Sequence, residues 1–339
     1  MLLKRLCDAF GVSGAEGEIR DIIIPEIKEY CDDLTVDTMG NIIALKKGES
    51  SDKKVMLSAH MDEVGFIISG ITDKGYLEFK KVGGIDTRVI ISKNVLVGKN
   101  KIPGVIGMKA IHLQSKGERE EVPKVKSLFI DIGAKDKEDA EKHVELGDYV
   151  SFATKYADFG DGKIKAKAID DRVGCYILTK LIKEPVKYDT YFCFTVQEEV
   201  GLRGAIISAN TIKPDIALVI EGTTCSDVYG SKPHNQVTNL GGGAVMTAMD
   251  RAAISDRKYF NFIMKTAKEN NIPLQIKRTA MGGRDAGAIQ RSGAGVKTAV
   301  LAVPCRYIHS QSNVAKLSDI KSMEDILFTF IESKVNNND

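Results

Sequence analysis

Two adjacent carboxylates, Glu198 and Glu199, close an apolar run at residues 191–196 and stand just before a turn at Gly201. A short run of this kind predicts a strand buried on both faces, with the acid pair where that strand leaves the core. Two uncompensated negative charges side by side there carry a heavy desolvation cost, so a cation must face them. An arginine or a metal ion meets that need. The remaining chemistry-bearing residues favour metal. His60 and Asp62 follow the apolar stretch 55–59, Asp170 follows 164–169, Glu221 ends 215–220, and His309 lies beyond 296–303. Imidazole and carboxylate together suit zinc or cobalt, whereas an all-oxygen set would suit magnesium or calcium. Taken singly, each has an ordinary explanation as a helix cap, a solvated turn or a core histidine. Their shared position after apolar segments does not.

The segments that must position these residues alternate in period. Ser13 and Glu16 have capping-box spacing, and Ile19, Ile22, Ile23 and Ile27 follow at helical spacing. A hairpin is expected from 34–37 and 41–46, turning at Met39-Gly40, and then a buried strand at 55–59 that delivers His60. From 69 to 160 the texture changes to short β-rich pieces at 76–79, 89–91, 95–97, 104–107, 128–131 and 148–152, with a short helix at 137–146. Beyond 160, helices at 171–183, 203–210, 256–270, 285–291 and 318–335 alternate with strands at 191–196, 215–220, 243–248, 274–277 and 296–303. The expectation is an α/β fold: a mixed sheet covered by helices on both faces, with a small inserted β-barrel or sandwich. Residues 1–68 and 161–339 form the catalytic body in this reading, and 69–160 the insert. In open α/β sheets ligands gather beyond the carboxyl ends of strands, so parallel neighbours would bring the two histidines and the carboxylates into one cleft.

The set His60-x-Asp62, Asp170, Glu198-Glu199, Glu221 and His309 resembles that of co-catalytic two-metal exopeptidases. Flanking stretches resemble one branch more closely: Ser58 to Gly65, Gly104 to Gly107 with His112 to Gln114, Ala168 to Cys175, Gln197 to Gly201, and Arg306 to Ser310. These are similar to the tetrahedral aminopeptidase family, whose members include glutamyl, leucyl and lysyl aminopeptidases and chains once described as cellulases. The likeness extends over nearly the whole chain. Related carboxypeptidases and deacylases place their extra domain after the glutamate pair. Here the long insertion separates His60 from Asp170, as in the tetrahedral branch.

Two divalent ions ~3.5–4 Å apart need a carboxylate between them to offset their repulsion. The resemblance implies Asp170 as that bridge, His60 and Glu221 on one ion, and Glu199 and His309 on the other. Asp62 would accept a hydrogen bond from the outer ring nitrogen of His60 and fix its tautomer. Consecutive residues leaving a strand point to opposite sides, which leaves Glu198 free to act as general base on a metal-activated water. The resemblance further implies dimerisation through the insert and a dodecameric tetrahedral shell admitting only peptides. Two departures stand out. Glu221 occupies a position where several members carry aspartate, and Gly282-Gly283-Arg284-Asp285 replaces the common Gly-Gly-Thr-Asp. Arg284 has two readings: a structural ion pair, or a pocket residue favouring acidic N-terminal side chains.

Composition bounds the rest. At 339 residues with a net charge of +2, the chain can bury a large core and has no general attraction to nucleic acid. No apolar run approaches membrane-spanning length, and the N-terminus reads as a first helix instead of an export signal. Scattered cysteines without CxxC spacing fit a reducing, cytoplasmic setting. Three rival readings remain open: a dinuclear-metal deacylase or dipeptidase, a non-catalytic metal-storing shell, and a glycosidase. The last would leave both histidines idle, and an aromatic content of 6 % without tryptophan offers little surface for sugar stacking.

Overall fold

The computed structural model describes residues 1–333; positions 334–335 of the expected last helix and the tail 336–339 lie outside them. Strands Tyr188–Thr195, Ser50–His60, Ile216–Cys225 and Lys297–Arg306 lie side by side, each parallel to its neighbour. They form the centre of an eleven-stranded mixed sheet. The hairpin Asp33–Val36 with Ile42–Lys46 extends one side, antiparallel to the Tyr188 strand. Asn313–Lys316, Lys163–Ala166 and Ala157–Asp158 extend the other.

Period-two alternation in the central strands explains why helices cover both faces. Leu57, Phe192, Phe194, Leu218, Ile220 and Leu301 face one core, packed under helices Leu2–Asp8, Gly17–Ile27, Ile169–Leu181, Arg257–Glu269 and Leu317–Glu332. Met56, Cys193, Ala217, Val219 and Val300 face a smaller core under helices Arg203–Ile212 and Asp285–Gln290. The buried parts of these strands are mostly apolar because neither face meets water. None of the described helices is long and apolar enough to cross a membrane.

A closed six-stranded barrel stands apart from this sheet, ordered Gly65–Ile71, Leu77–Val82, Leu128–Asp131, Ile102–Met108, Asn94–Val97 and Tyr149–Phe152. It has its own core, in which Phe66 meets Phe79 and Phe152 edge-on at 5.1 and 5.4 Å. Residue 69, the expected start of the insert, falls within the first barrel strand, and Ala157–Asp158, before its expected end, pairs in the large sheet. Residues 89–91 do not form a strand. Asp86 accepts a bond from the Arg88 amide and turns the chain into a 3-10 helix, Thr87–Val89.

A buried ion cluster ties the body to the barrel side. Glu63 Oε1 accepts from Lys167 Nζ at 2.5 Å, Arg172 Nη2 at 3.2 Å, the Gly11 amide at 3.1 Å and the Ser151 hydroxyl at 3.4 Å. The Arg172 side chain is wholly buried, and its remaining donors reach the carbonyls of Met61, Leu6 and Gly11. Every charge in the cluster is therefore paired and hydrogen-bonded, the condition under which buried ions persist.

Candidate metal centre and active site

His60 is the last residue of its strand and is almost fully buried. Its ring Nδ1 lies 3.2 Å from the Asp62 carbonyl oxygen and 3.3 Å from Asp62 Oδ1. An acceptor at Nδ1 keeps the proton of a neutral ring there and leaves the Nε2 lone pair pointing away. Nε2 faces Asp170 Oδ1 at 3.6 Å. His309 repeats the arrangement from the far side. Its Nδ1 meets the Gly84 carbonyl at 3.0 Å, while Nε2 faces Asp170 Oδ2 at 3.6 Å and Glu199 Oε1 at 3.4 Å. The two oxygens of Asp170 thus look toward two different histidines.

Asp170 enters this position at the head of the helix Ile169–Leu181, where Asp170 and Asp171 still have non-helical backbone angles and are joined by a cis peptide. The Gly222 amide donates to Asp170 Oδ1 at 3.2 Å. A Cβ at 222 would lie 2.9 Å from Asp170 Cβ and Oδ1, so this approach needs glycine. Asp171 turns the other way, accepting the His60 amide at 3.2 Å and the Gly174 amide at 2.9 Å.

The acid pair is not positioned by strand alternation. The Tyr188 strand stops at Thr195, and Gln197 has φ +57°, so Glu198 and Glu199 sit in a turn. Both reach toward His60: His60, Glu198 and Glu199 offer ligand atoms within 4.8 Å of one another, as do Asp170, Glu199 and His309. Asp62 holds this turn. Its carboxylate accepts the Glu198 amide at 3.0 Å, the Glu199 amide at 3.1 Å and the Ser13 hydroxyl at 2.6 Å.

Ser13 and Glu16 therefore do not form the expected capping box. Glu16 Oε1 accepts the amides of Gly14 and Gln197 at 2.8 and 3.2 Å, tying the N-terminal loop to the acid turn. The helix starts at Gly17 with no side-chain cap bond. The serine–glutamate spacing was legible, but its partners lie too far along the chain for sequence to name.

Glu221 also departs from expectation. Its strand continues past it to Cys225, because pairing with Lys297–Arg306 runs on from Glu221↔Ala302 to Cys225↔Arg306. Glu221 lines the same cavity as His60, Asp170, Glu199 and His309 but belongs to neither three-residue group. Its Oε2 accepts from Arg284 Nε at 2.7 Å, and its buried Oε1 has no partner. Arg284 spends its other donors on Thr223 Oγ1 at 2.6 Å, Thr247 Oγ1 at 3.4 Å and Asp250 Oδ2 at 3.5 Å.

The protein alone leaves this cluster short of positive charge. Burial pushes the Glu199 carboxyl up to about 7 despite His309, and the Glu221 carboxyl up to about 8 despite Arg284. Burial also drives Glu198 well upward, with Glu221 and Glu199 adding to the effect against His60. For His309 burial works downward, but Glu199 and Asp170 outweigh it and raise the imidazole to about 9. Asp62 is the exception: burial raises it, yet His60 and the bonds from Ser13 and Glu198 hold it below the ordinary carboxylate value. Two lone-pair nitrogens facing acid oxygens, an orphaned buried Glu221 oxygen and carboxylates driven upward are what divalent cations would satisfy. The residues present fit such ions.

A sign follows for the metal-free protein. Glu199 and Glu221 bind protons in the folded state that the unfolded chain releases near the ordinary glutamate value of 4.5, so their contribution falls as pH rises toward 7 and 8. The stability His309 gains is complete below the ordinary imidazole value of 6.5 and is lost as pH rises through about 9. All three act in one direction. Chelated protein should therefore melt at progressively lower temperature from about pH 5 to 8, and zinc should raise Tm more at pH 8 than at pH 6. Scanning calorimetry at fixed ionic strength checks this; a Tm of the chelated protein that rises over that range would contradict it.

The M42 glutamyl aminopeptidase family matches residues 40–326. The chain belongs to that family. An inferred aminopeptidase of Acetivibrio thermocellus is 42 % identical over 328 residues, covering 96 % of each chain. The lysyl aminopeptidase of Pyrococcus furiosus is 31 % identical, covering 94 % of this chain and 92 % of its own. Among solved structures, a peptidase of Pyrococcus horikoshii able to assemble into a tetrahedron or a large octahedral shell superposes with a TM-score of 0.87 at 35 % identity, covering 98 % of this chain and 99 % of that one. As an M42 family member the chain is a hydrolase of the aminopeptidase class, and the family implies use of divalent metal. The mixed sheet with its small barrel is the fold of these aminopeptidases.

Proposed function

We propose that this protein releases N-terminal residues from peptides with a pair of divalent ions, zinc or cobalt, and Glu198 as general base. The observation that carries the reading is Asp170, whose two oxygens face the Nε2 atoms of His60 and His309 at 3.6 Å each. Asp170 would lie between the ions, with His60 and Glu221 completing one set of ligands and Glu199 and His309 the other. Bound there, the ions supply Lewis-acid polarisation of the scissile carbonyl and lower the pKa of a water. Glu198 takes the proton of the attacking water and delivers it to the departing amine. Asp62 orients His60 and holds the amides of Glu198 and Glu199, so the base and its neighbour keep their separation.

The same proposal makes the barrel a contact surface for a homo-oligomer, a cytoplasmic dodecameric shell that admits peptides only. Its support is the pair of apolar side chains Ile111 and Leu113 on the barrel loop, 69 % and 62 % exposed, together with the shell-forming relative. Chelation tests the enzymatic reading. Hydrolysis of aminoacyl anilides should vanish with chelator and return with zinc or cobalt. Anilide hydrolysis indifferent to chelator would overturn the metal-dependent reading, and no anilide hydrolysis under either condition, with cleavage of a glycoside instead, would point to a metal-free carboxylate pair.

A further inference from the structure

The cavity beside the metal-ligand cluster has a volume of about 480 Å³. Beyond the cluster its wall includes Leu202, Val237, Ile308 and Met281, which are apolar, and Lys277 and Thr279, which are not. Lys277 follows the strand Leu274–Ile276, and its backbone amide bonds to the Met246 carbonyl at 3.0 Å, so its position is fixed by the sheet. The residue is 8 % exposed. Its ammonium has three donors. One reaches the Met281 carbonyl at 2.9 Å, and no carboxylate pairs with it among the described residues. Thr279 has a buried hydroxyl with no partner. The other cation on this wall, Arg284, is committed to Glu221, Thr223, Thr247 and Asp250.

We infer that Lys277 is the specificity-determining residue of this cavity, selecting peptides whose N-terminal side chain is acidic, glutamate above all. The apolar wall takes the methylenes, and the Lys277 ammonium, assisted by the Thr279 hydroxyl, takes the carboxylate in a charge-assisted hydrogen bond. Family membership does not decide the matter, since a lysyl aminopeptidase is also a relative. Burial, and then the neighbouring Arg284, press the Lys277 ammonium down to about 8 against the pull of Asp250, Glu221 and Asp170, so an incoming anion relieves an unfavourable charge.

The inference rests on the aminopeptidase reading, and its test separates the two. Zinc-loaded protein is assayed on glutamyl, leucyl and lysyl anilides, and free glutamate, leucine and lysine are compared for their effect on Tm. Glutamyl substrate should have the highest kcat/KM, and glutamate should raise Tm most. Lys277→Met should lower kcat/KM for the glutamyl substrate by roughly 10–100-fold and change the leucyl value by less than about threefold. Lys277→Arg should keep the acidic preference, which preserves the test where the methionine variant fails to fold. Hydrolysis without glutamyl preference in the unaltered protein overturns the pocket assignment and spares the aminopeptidase. Glutamate binding without hydrolysis of any anilide does the reverse.

Discussion

Glu198→Gln is expected to retain its full complement of zinc while losing roughly 10²–10⁴-fold in kcat. The substitution keeps the shape of the side chain and removes its ability to accept a proton. The amide hydrogen bond from residue 198 to Asp62 Oδ1, at 3.0 Å, does not depend on the side chain, so the turn holding Glu199 should survive. The two measurements answer different questions. Because Glu198 shares a cluster with His60 and Glu199, it has the reach of a ligand as well as of a base. Loss of one equivalent of zinc in the glutamine variant would assign it as a ligand, whereas near-normal turnover would remove it from proton transfer altogether.

The second large effect concerns stability. Arg172→Met should lower the free energy of unfolding by about 3–5 kcal/mol, read as a lower urea midpoint with an unchanged slope. Methionine fills much of the volume, but the carbonyls of Leu6 and Met61 lose the guanidinium donors, Gly11 keeps only the Glu63 amide at 2.9 Å, and Glu63 keeps only Lys167 as a cationic partner. Activity should fall as well, since Met61 lies between His60 and Asp62 and its carbonyl is held by Arg172 Nε at 2.8 Å. Arg172→Lys should recover only part of the loss, because an ammonium cannot span several carbonyls as the planar guanidinium does. An unfolding free energy within about 0.5 kcal/mol of that of the unaltered protein would show that the cluster contributes little net stability.

Much of this architecture can be read from patterning. The central strands announce themselves because burial on both faces leaves few polar residues at 55–59, 191–196, 215–220 and 296–303, among them Ser58, Thr195 and Thr298. The hairpin at 33–46 follows from its turn residues. What sequence did not disclose is instructive. The strand Gly65–Ile71 carries two glycines, which weaken its signal, and the first half of Ser50–His60 is polar because it runs along solvent. Strand geometry predicts opposite directions for Glu198 and Glu199, but a left-handed residue at 197 ends the strand before it reaches them. The candidate residues that line one cavity can be picked out because titratable side chains are rare after apolar runs. Their partners cannot: Ser13, Glu16, Gly84 and Gly222 contribute through bonds to residues distant along the chain, and local spacing carries no trace of that.

Gly84 has one more implication. It belongs to the segment after the barrel strand Leu77–Val82, yet its carbonyl sets the ring orientation of His309, which comes from the peptidase body. A Cβ added at the neighbouring Gly83 would lie 3.4 Å from Glu199 Cβ and 2.8 Å from Val64 Cγ1. The inserted module is therefore a working wall of the reaction chamber, and whatever grips its outer surface gains mechanical leverage over an imidazole. A displacement of Gly84 would turn that ring, so the rigidity of the barrel edge and the aim of His309 are one property.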